Sequence, residues 1–399
     1  MALVPVEEAL SRILKTAIVL ASESVPLDLA LERVTSNSVL AKRDQPPFDA
    51  SAMDGYAIRL QDTPQPLRVV GTSAAGHGFH GVVKAGQTVR IFTGAPVPKG
   101  ADTVVIQENV LANDNTITIG EYPALGRNIR PRGLDFHKGD VLVPASTKLN
   151  ARDIGLAASG NNAFIRVRRK PVVAVLTTGD ELVLPGTEAR ADQITSSNNH
   201  ALLAFAQSLG AHVINLGIIP DNLRAITAAI KKADKADILI TTGGASVGDH
   251  DFVQQALNKA GVKIDFWKIA MRPGKPFMFG TKGKLRVLGL PGNPVAALVC
   301  AHLFLKPLIA AMQGCAVAQP RHTATLVEEL PANDQRQDYL RATLLIAEDG
   351  SRRVTPAKKQ DSSMQRIMRD AQCLIIRQPH APAAKVGESV EIMLLEFGS

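Results

Sequence analysis

Five short segments carry most of the side chains that could do chemistry. They are TTGDEL (residues 177–182), IIPDN (218–222), TTGGASVGDHD (241–251), MRPGKP (271–276) and LPGNP (290–294). Four of them contain glycine, which lets a backbone approach an anion closely and turn its N–H groups toward phosphate oxygens. One such segment alone reads more simply as a tight turn; five on one sheet edge point to phosphate. The acids Asp180, Glu181, Asp221 and Asp251 share these segments. They would repel a phosphate unless a divalent cation intervened, and Mg2+ favours a few carboxylates together with phosphate oxygens and water. Asp221 and Asp251 can equally cap the helices they open. The cations are Lys268, Arg272 and Lys275. If Lys268 lies on a strand, it and Arg272 point the same way, which suits a compact oxyanion; solvated charge is the other reading.

The elements that must position these groups are legible from periodicity. Apolar, β-branched runs at 172–176, 213–218, 238–242, 264–269 and 285–290 predict strands. Helical patterns fall at 199–209, 222–233, 251–260 and 294–312. This alternation predicts βαβ units and a mostly parallel sheet covered on both faces, with ligands beyond the carboxyl ends of its strands. Asn293 can cap the last helix, with Pro294 at its first position. Around this α/β domain, at 169–316, the expected divisions are a mixed helical domain from 1–44 and 142–168, a β-rich domain at 45–141, and a C-terminal, barrel-like β domain at 317–399.

Composition narrows the partners. The chain has 399 residues and a net charge of +8, with Lys and Arg scattered apart from short pairs such as Lys231-Lys232 and Lys358-Lys359. Three Tyr and one Trp leave little to stack bases on, so the charge suits a small anion better than nucleic acid. Cys300, Cys315 and Cys373 form no CxxC pair, which argues against a thiolate metal site and fits a reducing cytoplasm. The first thirty residues carry Glu7, Glu8 and Glu23 and do not read as a signal peptide. His302, Lys306 and Pro307 interrupt the most apolar stretch, 294–312, which therefore reads as a buried helix and not a membrane span.

Further motifs go beyond generic physics: PPFDASAMDGYA (46–57), IFTGAPVPKGADTVV (91–105), NIRPRGLD (128–135), RQDYLRATL (336–344) and QDSSM (360–364). With the strand-end segments, in this order, they make a chain that resembles the molybdopterin molybdenumtransferase family over residues 5–397. The resemblance implies an elongated, L-shaped, four-domain subunit that forms a homodimer. It implies an active site between one subunit's molybdopterin-binding α/β domain and the β-rich second domain of its partner. It implies a Mg2+-dependent reaction in which adenylylated molybdopterin and molybdate give molybdenum cofactor and AMP, with the molybdopterin adenylyltransferase as a further partner.

The same resemblance implies residue roles. Asp54, Thr93, Asp135, Glu181, Lys268, Arg272 and Lys275 form the catalytic set, with Asp54, Thr93, Arg130 and Asp135 reaching in from the other subunit. Arg130, Thr178, Gly179, Asp180, Asp221, Gly243, Gly244, Ser246, Gly248, Pro291, Gly292, Asn293, Pro294, Arg341 and Ser362 form the cofactor-binding set. Asp251, then Asp221, would contact the metal. The chain departs from the family pattern at Leu134, where Glu is frequent, at Ser196, where Asp or Asn is common, at Asp361, where Gly is usual, and at Ala50. Three other readings stay open: the molybdopterin adenylyltransferase, whose fold the α/β domain shares; a non-catalytic scaffold; and an inactive paralogue.

Overall fold

The computed structural model describes residues 3–243, 252–317 and 320–395. Gly244, Ser246, Gly248 and Asp251 lie outside the described residues. The chain divides into two compact units: residues 1–23, 32–34 and 168–399 form the first, and residues 24–31 and 35–167 the second.

The first unit is built on a six-stranded sheet of β1 (Val172–Thr178), β2 (His212–Ile219), β3 (Ile238–Thr242), β4 (Lys263–Phe266), β5 (Met278–Lys282) and β6 (Leu285–Leu290), in the order β2-β1-β3-β6-β5-β4. β2, β1, β3 and β6 run parallel, whereas β5 is antiparallel to both β6 and β4. Successive residues of a strand face opposite sides, and both sides are used. Val173, Val175, Ile238 and Ile240 enter one core with Leu202 and Phe205 of helix α2 (Asn198–Ser208). Ala174, Leu176 and Leu239 enter the other, with Ile226 and Ile230 of α3 (Leu223–Lys232) and Leu257 of α4 (Phe252–Lys259).

Two expectations change here. The strand expected at 264–269 ends at Phe266, and β5, unforeseen within a Pro- and Gly-rich stretch, pairs between it and β6. Lys268 therefore follows the strand instead of lying on it, and the shared face with Arg272 does not exist. Residues 1–23, expected in the mixed helical domain, pack on the first unit: Val6, Ala9 and Ile13 of helix Val6–Lys15 join its larger core. The run Pro294–Met312 is long and apolar enough to cross a membrane, but 78% of it is buried, as suits a core helix. It consists of α5 (Pro294–Cys300), a π-helical segment Ala301–Leu305 and α6 (Lys306–Met312).

The C-terminal part of this unit closes into a barrel. Strands β7 (Arg321–Leu326), β8 (Gln337–Ile346), β9 (Arg352–Pro356), β10 (Cys373–Arg377) and β11 (Ser389–Leu394) pair in the order β8-β9-β7-β11-β10, and β10 returns to β8. The two-residue strand Met271–Arg272 adds to β8 in parallel and sets Arg272 opposite Asp338. A loop of the central sheet is thus knitted into the barrel.

The second unit carries a six-stranded sheet ordered Thr103–Ile106, Gly55–Ile58, Gln87–Ile91, Leu67–Ser73, Thr116–Ile119, Val110–Asn113. Ile58, Leu67, Val105 and Ile117 fill one face. A second core gathers Val39, Val143, Leu149, Ile165 and Ala157, the last on helix Ala151–Ser159. Asn150 and Asp153 close that helix start with a reciprocal capping box.

Candidate functional site

The carboxyl ends of β1, β3 and β6 open onto two adjoining cavities. The larger, about 650 Å3, is lined by Glu181, Gly243, Pro291, Gly292, Asn293, Arg272, Lys275, Asp361 and Ser362. The smaller, about 400 Å3, is lined by Thr177, Thr178, Ser196, Asn198, Thr242, Pro294 and Gln365. Glu181, Gly243, Gly292 and Asn293 border both. Gly243 has φ +91, and a Cβ there would stand 2.1 Å from the Thr178 carbonyl oxygen, so only glycine lets the two strand ends meet. Asn198 Nδ2 donates to Thr242 Oγ1 at 3.0 Å and to the Gly292 carbonyl at 2.6 Å, joining the ends of β3 and β6.

The barrel supplies the opposite wall. Asn293 is the first residue of the α5 turn, but its side chain caps no N–H. It donates instead to Ser362 Oγ at 2.7 Å, while the Val295 N–H donates to the Ser362 carbonyl at 3.0 Å. Arg341 does not reach the cavities. It is 1% exposed, its Nη2 donates to the Asp361 carbonyl at 3.2 Å, and burial holds its pKa down to about 10. It supports the 360–362 loop from behind, together with Gln360, whose amide bridges the Arg341 backbone on both sides.

The cations are not equivalent. Arg272 Nε donates to both Asp338 carboxylate oxygens at 2.9 Å, and Nη1 lies 3.5 Å from Asp334. Burial pushes the Asp338 pKa up, opposed by Arg272. Lys275 is exposed on the larger cavity and forms no ion pair among the described residues. Lys268 lines neither cavity; its carbonyl accepts from the Val4 N–H at 3.2 Å.

The acids separate as well. Asp180 and Asp221 meet beside the cavities, where Asp180 Oδ1 accepts the Asp221 N–H at 3.1 Å. Gly179, at φ +147, makes the turn that precedes them. Asp221 does not cap α3; Asn222 does, accepting the Ala225 N–H at 2.8 Å. Burial first, then the Asp180 and Glu181 charges, raise the Asp221 pKa. Among the described residues no three His, Cys, Asp or Glu side chains are grouped closely enough to hold a metal.

In the second unit, Asp54 accepts the Thr93 N–H at 2.7 Å and the Thr93 hydroxyl at 2.8 Å. These bonds, with Arg90 nearby, hold its carboxyl below the usual range. Gly55 fixes the place of Asp54, because a Cβ at 55 would stand 1.8 Å from the Val105 carbonyl oxygen. Arg130 lies exposed on a short strand paired with Ala50, and the Asp135 N–H donates to the Gln45 carbonyl at 2.9 Å. The three segments around Asp54, Thr93 and Arg130 are tied together by the Gly94-to-Ser51 and Ala52-to-Asn128 backbone bonds.

Sequence reasoning missed Asn198, Gln365 and Asp338 as site-building residues. Asp338 stands inside the quoted RQDYLRATL stretch, but only the pairing of β8 with Met271–Arg272 reveals its partner.

Comparisons with known proteins agree with this architecture. Residues 4–160 match the family model described as the MoeA N-terminal region (domain I and II), residues 174–311 a probable molybdopterin binding domain, and residues 323–395 the MoeA C-terminal region (domain IV). A molybdopterin molybdenumtransferase of Haemophilus influenzae is 38% identical over 377 residues, 93% of each chain. One of Bacillus subtilis is 33% identical over 98% of this chain and 94% of its own. The crystal structure of a molybdopterin biosynthesis MoeA protein from Pyrococcus horikoshii superposes with a TM-score of 0.87 at 29% identity, covering 98% of this chain and 99% of that one. With all three family regions matched in order and near-full-length relatives above 30% identity, the chain belongs to the molybdopterin molybdenumtransferase family.

Proposed function

We propose that the chain takes adenylylated molybdopterin and molybdate, cleaves the adenylate, and inserts molybdenum at the dithiolene, leaving molybdenum cofactor and AMP. The observation that carries this reading is the larger cavity, where glycine turns at 243 and 292 and the exposed Lys275 meet the barrel's Ser362. Backbone N–H groups at glycine turns, and an ammonium with no ion pair among the described residues, suit phosphate and molybdate oxyanions. Arg272, anchored by Asp338, adds an oriented guanidinium. The barrel loop keeps its place through the Asn293–Ser362 bond. No activated nucleophile is required: holding the two anions together and balancing their charge supplies most of the acceleration. The matches to N- and C-terminal regions outside the α/β domain favour this activity over that of the molybdopterin adenylyltransferase, which we take as the source of the adenylylated substrate.

In this proposal Mg2+ is held by Asp221, with Asp251 as its expected companion. Asp180 and Glu181 set negative charge near Asp221 that a divalent cation would relieve, and because the described residues alone gather no three-ligand group, Asp251 would be needed to complete the set. When bound, Mg2+ supplies charge neutralisation at the phosphate oxygens.

A second copy of the chain completes the site in this reading. Phe48, Met53, Phe92 and Leu134 are 40%, 43%, 37% and 60% exposed on the segments that carry Asp54, Thr93 and Asp135. Exposed large apolar side chains on the segments that carry these polar residues suit a face that a partner covers. Asp54, Thr93, Arg130 and Asp135 would then act on the partner's oxyanions. Three cysteines with no CxxC spacing suit work in the cytoplasm.

The test is incubation of the purified chain with adenylylated molybdopterin, molybdate and Mg2+. AMP release and activation of an apo-molybdoenzyme are expected. Formation of adenylylated pterin from ATP and molybdopterin would favour the adenylyltransferase instead.

A further inference from the structure

The barrel holds a cavity of its own, about 500 Å3, that none of the strand-end glycine turns lines. Arg272 and Asp338 border it, and Arg272 also borders the larger strand-end cavity. On its wall stands Arg377, the last residue of β10 and 8% exposed. The register sets Arg377 directly opposite Asp338 on β8, a place where opposite charges favour pairing. Asp338 instead gives both carboxylate oxygens to Arg272. Arg377 is left with two backbone carbonyls, Pro331 at 3.3 Å and Pro382, both bonded by Nη2. Among the described residues no ion pair or hydrogen bond engages its Nε or Nη1, and neither nitrogen is sealed off as the Arg341 Nε is. Burial outweighs the charges of Asp338 and Glu388 and holds the guanidinium pKa below its usual range. A buried cation without a counterion is costly, and this one lines a cavity with room for the missing anion.

We propose that the barrel cavity binds a small organic monoanion, its carboxylate held by Arg377 and its apolar body against Leu330, Leu340 and Pro356. Charge-assisted hydrogen bonds from a guanidinium to a carboxylate are among the stronger polar contacts, and the open donors of Arg377 supply them. Lys358, exposed on the same lining, adds a second positive charge. Glu328 and Glu329, also exposed there, disfavour a multiply charged anion, so a single negative charge fits best. The volume lies within the range of small-molecule pockets. This site is separate from the strand-end cleft and does not rest on the function proposed above.

Benzoate is the probe, titrated into the full chain and followed by saturation-transfer NMR of its ring protons. Wild type binds it. Arg377→Leu weakens binding by about tenfold or more, the worth of a hydrogen bond to a charged group. Lys358→Glu, a charge reversal at an exposed position, weakens it about fivefold. Lys275→Met, in the strand-end cleft, leaves it unchanged. Arg377→Leu also gives up two bonds to backbone carbonyls; should that variant not fold, Lys358→Glu decides alone. No binding of millimolar benzoate by wild type overturns the proposal, as does wild-type affinity in Lys358→Glu. Binding lost in Lys275→Met and kept in Arg377→Leu overturns it too, and places the anion in the strand-end cleft.

Discussion

Arg272, exposed on the larger cavity, is fixed by Asp338, which is 3% exposed and offers both carboxylate oxygens to Arg272 Nε at 2.9 Å. The pair forms because Met271–Arg272 pairs in parallel with the start of β8, setting Arg272 opposite Asp338, so a barrel residue decides where a strand-end cation points. Arg272→Met leaves a buried carboxylate without its counterion and should destabilise the chain by about 2 kcal/mol, reduced from the fully buried case because Arg272 is half exposed. Lys275→Met breaks no ion pair among the described residues and should change stability by less than about 0.5 kcal/mol. Both should slow AMP release about 100-fold by removing an oriented cation. Thermal unfolding with single-turnover AMP measurement tells the two apart; equal stability losses would contradict the assignment.

The Asp54–Thr93 pair gives a test of the second copy. If Asp54 of one subunit serves the Lys275 cleft of its partner, Asp54→Ala and Lys275→Met chains are each inactive alone. Mixed dimers then contain one site with both changes and one with neither. Co-expression should restore about a quarter of wild-type activity, as random pairing of a two-fold dimer requires. No recovery in a mixture shown to contain mixed dimers would mean that both residues serve a site within one chain.

Gly55 is a purely steric case. The Cβ of Gly55→Ala would stand 1.8 Å from a backbone oxygen, which no rotamer change relieves. The second unit's sheet should lose about 4 kcal/mol or more. Limited proteolysis should then cut within residues 35–167 while the first unit keeps its protection. Undiminished resistance there would show that the Gly55–Val105 approach is not enforced.

His302 gives a pH prediction. It is buried in the π-helical segment with its ring 4.5 Å from Phe205, and burial, then the Lys306 charge, pull its pKa down to about 3. A histidine held neutral in the fold contributes stability that is complete above its unfolded pKa of about 6.5 and is lost as pH falls from there toward the folded value. The limiting slope is about 1.4 kcal/mol per pH unit. His302→Leu should flatten the stability profile between pH 6.5 and about 3, whatever its stability at neutral pH. Parallel profiles for the two chains in denaturant titrations would show that His302 takes up no proton on unfolding.

The strands of the central sheet were legible because both faces are covered, which leaves near-continuous runs such as VVAVLTT. The glycine turns and Lys275 followed from their place at strand ends. What the sequence could not reveal is tertiary. β5 and the strand Arg352–Pro356 are bounded by Pro, Gly or charge and look like loops until a neighbour pairs with them. Lys268 was expected on a strand that stops two residues earlier. Arg341 looks like an oxyanion ligand until its burial is known, and Asp338 acquires a role only from the register of β8. Asp221 and Asn222 are adjacent and both able to cap; the geometry chose Asn222, which leaves Asp221 facing Asp180.

The most direct measurement is AMP release in a single turnover by the wild-type chain and by Lys275→Met, with adenylylated molybdopterin and Mg2+, in the presence and absence of molybdate. Rapid release by wild type, molybdopterin converted to molybdenum cofactor when molybdate is present, and a loss of about 100-fold in the variant are expected if the strand-end cleft holds both anions. Equal rates in the two chains, or no conversion by either, would contradict it.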